Sequence, residues 1–88
     1  MNLITWNTSA KNSLEKTVEF ATFKEALYFV NEVGEVAEEL NHHPDICLRN
    51  YSEVFISLTT HHVGNKLTDA DYALAEKIDA IVSRSKVV

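Results

Sequence analysis

Two glycines and one proline in 88 residues leave this chain few places to break. Most of it is therefore expected in regular elements, jointed at Pro44 and at the Gly64-Asn65-Lys66 loop. Leu3 to Thr8, with Trp6 at its centre, and Leu14 to Phe20, where Val18 and Phe20 alternate with Thr17 and Glu19, read as a hairpin around the polar stretch Ser9 to Ser13. Thr22-Phe-Lys-Glu25 has capping-box spacing and opens a long helix. Phe23, Leu27, Val30, Gly34 and Ala37 form its expected buried stripe, widened by Ala26, Val33 and Leu40. That stripe leaves Phe29 and Val36 outside, available to a partner. The helix should stop near Asn41, because Pro44 disfavours helical geometry at His43. Gly34 in mid-helix costs about 1 kcal/mol against alanine, and close packing against another element would be a reason to keep it.

Ile46 to Tyr51 reads as a short strand and Val54 to Thr60 as a longer one. In the latter Val54, Ile56 and Leu58 share one face, and Phe55, Ser57, Thr59 and His61 share the other. Thr68-Asp-Ala-Asp71 is a second helix start, with Asp71 in the glutamate position and Leu67 and Tyr72 placed as a hydrophobic staple. Leu74, Ala75, Ile78, Ile81 and Val82 make that helix's apolar face. Hairpins imply antiparallel pairing, and two single-striped helices can cover one sheet face. The expected fold is thus α+β, two layers, a four-stranded antiparallel sheet with both helices on one face, in the order β-β-α-β-β-α. We expect one domain over residues 1–88.

Composition excludes several functions. The net charge is −5, and the absence of a Lys/Arg cluster argues against nucleic acid and against an anionic membrane surface. No apolar run approaches the roughly 18–20 residues of a membrane span, and the first residues lack a signal-peptide pattern. The lone Cys47 allows no intrachain disulfide and suits a reducing compartment. A cytoplasmic protein is expected, and so short and unstapled a chain is expected to oligomerise, as a homodimer or homotetramer.

The chemistry-bearing residues are two histidine pairs, His42-His43 after the first helix and His61-His62 at the end of the last strand. Imidazole gives and takes protons near neutral pH. Glu38 lies one turn before His42 and could orient it. Zinc is the competing reading. However, the chain has no H-E-x-x-H and no Cys/His finger spacing, and adjacent histidines in extended chain face opposite ways. No metal and no cofactor is expected. Cys47 beside the histidines invites a nucleophile reading, against the plainer meaning of a small residue in a strand. Trp6, Phe20, Phe23 and Phe29 could stack on a flat ring or simply fill a core.

The segments Glu38-Glu-Leu-Asn-His-His-Pro-Asp-Ile46, Val54-Phe-Ile-Ser-Leu-Thr-Thr-His61 and Leu67-Thr-Asp-Ala-Asp-Tyr-Ala-Leu-Ala75 resemble the pterin-4a-carbinolamine dehydratases. The similarity runs from about Trp6 to Ile81. It departs at Asn41, where many members have Asp, at Ala70, where some animal members have Arg, and in the turns at Asn50-Tyr51-Ser52 and Gly64-Asn65-Lys66, each one residue longer. The resemblance implies a lyase that dehydrates 4a-hydroxytetrahydropterin to quinonoid dihydropterin in tetrahydropterin recycling. It places His42, His43 and His61 as catalytic residues and Glu38, His43, Pro44 and Thr60 against the substrate, while His62 matches no family histidine. The alternative is a non-catalytic binding module on the same scaffold, holding a protein partner or a pterin.

Overall fold

A computed structural model describes residues 6–9, 12–60 and 66–85. The elements run β1 (Asn7–Thr8), β2 (Leu14–Glu19), α1 (Phe23–Leu40), β3 (Asp45–Arg49), β4 (Glu53–Leu58) and α2 (Asp69–Ser83). This is the expected β-β-α-β-β-α order. The strands form one antiparallel sheet in the order β1-β2-β4-β3. β4 is inserted between β2 and β3, so these two run in the same direction and α1 must cross the sheet face to join them.

Alternation in the strands decides which face the helices cover. Leu14, Lys16 and Val18 on β2 pair with Leu58, Ile56 and Val54 on β4, while Ile46 and Leu48 on β3 pair with Ile56 and Val54. The two helices pack on that face, with Leu74, Ala75, Ile78 and Ile81 of α2 buried as their spacing predicts. Val82 packs on the core from its edge. The opposite face carries Thr17, Glu19, Phe55, Cys47 and Arg49, with the Arg49 guanidinium 5.0 Å from the Phe55 ring centre. Cys47 is exposed.

α1 starts and stops on local chemistry. The Thr22 hydroxyl accepts from the Glu25 N–H at 3.1 Å, the cap its sequence predicts. At the other end Asn41 takes a left-handed conformation (φ 52°), and its N–H reaches the Ala37 and Glu38 carbonyls. Asparagine tolerates this geometry better than most residues.

The buried side of α1 is not the one its apolar spacing favours. Ala26, Phe29, Val33 and Ala37 are buried, with Val30 and Val36 partly covered, whereas Phe23, Leu27 and Leu40 are exposed. Relative to the expected stripe the helix is turned by about 60°, at 100° per residue. Phe29 is the anchor: its ring lies 5.1 Å from that of Phe20, which follows β2. Phe29 therefore belongs to the core and is unavailable to a partner, while Val36 packs against the core and is partly covered. A Cβ at Gly34 would meet nothing within 4 Å, so close packing among the described residues does not explain that glycine.

The strand ends also shift. Asn50 and Tyr51, expected in β3, form the β3–β4 turn with φ of 49° and 52°. Thr60, expected in β4, instead forms an isolated bridge with Lys66. Of the first expected strand, residues 3–5 lie outside the described residues. Trp6 is a core residue, and its indole N–H donates to Asp79 at 3.0 and 3.1 Å. Lys16, inward-facing on β2, donates to the same carboxylate at 2.9 Å. Tyr72 stays exposed, and Leu67 alone of the expected staple packs on the core. Among the described residues no helix is long and apolar enough to cross a membrane.

Candidate active site

The left-handed turn at Asn41 ends α1 and sends two successive histidines in different directions. His42, whose N–H still reaches the Ala37 carbonyl at 3.1 Å, points inward toward the start of α2. There its Nε2 lies 2.6 Å from Asp71 Oδ1, with the His42 side chain 13% exposed and that of Asp71 0%. His43 points outward, its Nε2 2.6 Å from Glu38 Oε2, and both side chains are largely solvated. Half-buried Pro44 follows and leads into β3. Glu38 thus partners His43, and the carboxylate on His42 is Asp71, twenty-nine positions away.

Asp71 is held from every side. It occupies the third position of α2, where its Oδ2 accepts from the Thr68 N–H at 3.0 Å and closes the N-terminal box. The same oxygen accepts from the Thr60 hydroxyl at 2.7 Å. Because Thr60 gives Asp71 its single proton, the Thr68 hydroxyl donates to Thr60 across 2.8 Å. Burial pushes the Asp71 carboxyl pKa up. The hydrogen bond from His42 opposes this, followed by those from the Thr68 N–H and the Thr60 hydroxyl, and the balance leaves it below the ordinary value. Asp71 is therefore an anion at neutral pH and can only accept. His42 must then carry a proton on Nε2, which fixes its tautomer and leaves Nδ1 for proton exchange.

Thr60, expected beside the substrate, spends its hydroxyl on this network and is buried. Its backbone pairs with Lys66, N–H to carbonyl at 3.0 Å and the reverse at 3.4 Å. Thr60, bonded to Asp71, and its bridge partner Lys66 flank residues 61–65 in the chain. His61 and His62 lie outside the described residues. The structure thus brings His42, Thr60 and Asp71 together and sets His43 with Glu38 at the rim. Among the described residues no group of three or more His, Cys, Asp or Glu side chains is placed to hold a metal ion. The spacing of Thr68-Asp-Ala-Asp71 identifies the helix start correctly, but nothing in it shows that the capping carboxylate also faces a histidine.

The model for pterin 4 alpha carbinolamine dehydratase matches residues 1–81. The chain belongs to this family. A Sulfurisphaera tokodaii protein named "Putative pterin-4-alpha-carbinolamine dehydratase" is 47% identical over 72 residues, 82% of this chain and 75% of that one. A protein of the same name from Thermomicrobium roseum is also 47% identical over 72 residues, with the same shares covered. Among solved structures, the transcriptional coactivator/pterin dehydratase of Brucella melitensis superposes with a TM-score of 0.79 at 29% identity, over 88% of this chain and 81% of that one. A pterin dehydratase-like protein identified as a RuBisCO assembly factor in the alpha-carboxysome gives 0.74 at 25% identity, over 92% and 93%. Dehydratase and assembly-factor names thus occur on one fold.

Proposed function

We propose that this chain is a cytoplasmic 4a-hydroxytetrahydropterin dehydratase acting in tetrahydropterin recycling, without metal or cofactor. The observation that carries the reading is the largely buried His42–Asp71 pair, an imidazole with a fixed tautomer and a second nitrogen that meets no hydrogen-bond partner among the described residues. Dehydration breaks the C4a–O bond, and the departing oxygen leaves as water after taking a proton from an acid. A base removes the N5–H proton, and the N5 electron pair becomes the C4a=N5 double bond. His42 is one of these two proton carriers, with Asp71 holding its ring. His61, next in the chain after Thr60, is the other. His43, supported by Glu38 and followed by the restrained Pro44, holds the pterin ring, and Thr60 acts through Asp71 as a positioning residue.

Each proton-transfer group of this kind contributes roughly 10²–10⁴-fold. His42→Ala and His61→Ala should each lower kcat by about two orders of magnitude, and His43→Ala should chiefly raise KM. His62→Ala should change little. A folded His61→Ala that keeps full kcat while His62→Ala loses it would show that the second carrier is misassigned. Activity should survive EDTA, and loss to chelator with recovery on zinc would reject the metal-free reaction.

The likeness to a RuBisCO assembly factor favours a second reading, a non-catalytic module that uses the same scaffold to hold a protein partner. A purified, folded protein that does not accelerate dehydration selects that reading.

A further inference from the structure

We propose that the uncovered face of the sheet docks a basic segment of another protein, whose lysines or arginines pair with Glu19 and Glu53 on one side and with Glu15 and Asp45 on the other. An apolar side chain of the same segment covers Phe55 between them. Both helices pack on the face that carries Val54, Ile56 and Leu58, so no described element covers the opposite one. Register sets three rows on that open face, across β2, β4 and β3. One outer row holds Glu15 and Asp45, and the other holds Glu19, Glu53 and Arg49. The middle row is uncharged, with half-buried Phe55 between Thr17 and Cys47. At about 4.8 Å per strand and 3.4 Å per residue, the acids frame an area of about 10 by 14 Å.

The charge on this face is one-sided at a cost to the fold. Glu19 and Glu53 are direct cross-strand partners, and like charges placed so repel each other and weaken the pairing. Arg49 is the one base on the face among the described residues, and it relieves only Glu53. Its Nε lies 3.4 Å from that carboxylate, and its guanidinium rests 5.0 Å from the Phe55 ring centre. Glu19 and Asp45 are exposed and meet no ion-pair partner among the described residues. The other bases within strands and helices, Lys16, Lys24 and Lys77, belong to the core side of β2 or to the helix layer.

An open antiparallel face is ordinarily solvated and polar. Here charge of one sign surrounds an aromatic ring, and the complementary surface is one that carries cations about an apolar centre. Nucleic acid and anionic membranes are repelled by it. A small cation would satisfy the carboxylates but leave the ring uncovered, whereas a basic polypeptide supplies both parts. This surface owes nothing to the function proposed above.

The test uses the full chain, labelled with nitrogen-15. The probe is a short blocked peptide in which lysine and serine alternate on either side of one central leucine, and its counterpart carries glutamate for lysine. Amide shifts on titration with the lysine peptide should gather on β2, β3 and β4, and affinity should fall as salt rises. Replacing the peptide's leucine by serine should weaken binding roughly fivefold, for a side chain partly buried on the ring. Glu19→Lys/Asp45→Lys should weaken it by about tenfold or more, and Glu35→Lys/Glu39→Lys, an equal charge change at exposed positions of α1, should leave it within about twofold. Glu19→Lys removes the like-charge pair and should raise the urea midpoint, so the double variant loses binding without losing its fold. No shifts with the lysine peptide, equal affinity for the glutamate peptide, shifts confined to the helices, or equal losses in the two double variants would overturn the docking surface.

Discussion

At the level of single residues, the account turns on a carboxylate that performs two tasks. Asp71 closes the start of α2 and fixes the His42 ring, and both depend on its negative charge. Its native pKa lies below the ordinary carboxyl value. For a depressed pKa, the linked stabilisation is fully present above the unfolded-state value of about 3.9 and is lost as pH falls through the lower native value. Asp71→Asn should therefore cost about 2–3 kcal/mol at neutral pH, as expected for hydrogen bonds to a buried charge. The difference from wild type should shrink in acid. Denaturant melts at several pH values check this, and a difference that grows on acidification would contradict it. The same variant should lower kcat rather than raise KM, because it disturbs the proposed proton carrier and leaves His43 alone. Sequence spacing selected the wrong acid for His42. Glu38 sits at the favoured i, i+4 distance, but the left-handed turn at Asn41 swings His42 off the helix and leaves Glu38 to His43. A tertiary contact between residues 42 and 71 has no local signature.

At the level of elements, legibility followed the period of the pattern. Strand alternation is binary, so Val54, Ile56 and Leu58 could only share a face, and they do. Helix α2 carries one clean stripe and was equally legible, apart from the buried Asp71 and Asp79 that its polarity hid. Helix α1 carries two overlapping apolar stripes, and the sequence cannot say which one meets the sheet. The ring contact between Phe20 and Phe29 decides it. Phe29→Ala should then cost about 3–5 kcal/mol, as for a fully buried aromatic side chain. Phe23→Ser, on the exposed side of α1, should change stability by about 0.5 kcal/mol or less. Equal losses at the two positions, read from urea midpoints, would return α1 to the orientation its spacing suggested. Asp79 offers an independent check on the other helix. It accepts from both Lys16 and the Trp6 indole away from solvent. Asp79→Ala removes the acceptor of both donors and should destabilise by about 1–3 kcal/mol, with the Trp6 fluorescence shifted at once by loss of its acceptor.

On the scale of the whole molecule, the core and the site occupy different places. The sheet and the buried sides of α1 and α2 build the core, while the C-terminal end of α1, the end of β4 and the start of α2 meet at one edge, where His42, Thr60 and Asp71 converge. The order of elements and that edge were both visible in the sequence, because helix ends and strand ends leave local marks. Family membership agrees with the reading but does not choose between an enzyme and an assembly factor on the same fold. The choice rests on whether the His42–Asp71 pair moves protons. The direct test is stopped-flow dehydration of freshly generated 4a-hydroxytetrahydropterin, with wild-type protein and with folded His42→Ala at equal concentration. The account predicts a marked acceleration over the uncatalysed reaction by the wild type and a kcat about two orders of magnitude lower for the variant. Equal rates for the two proteins, or no acceleration by either, would contradict it.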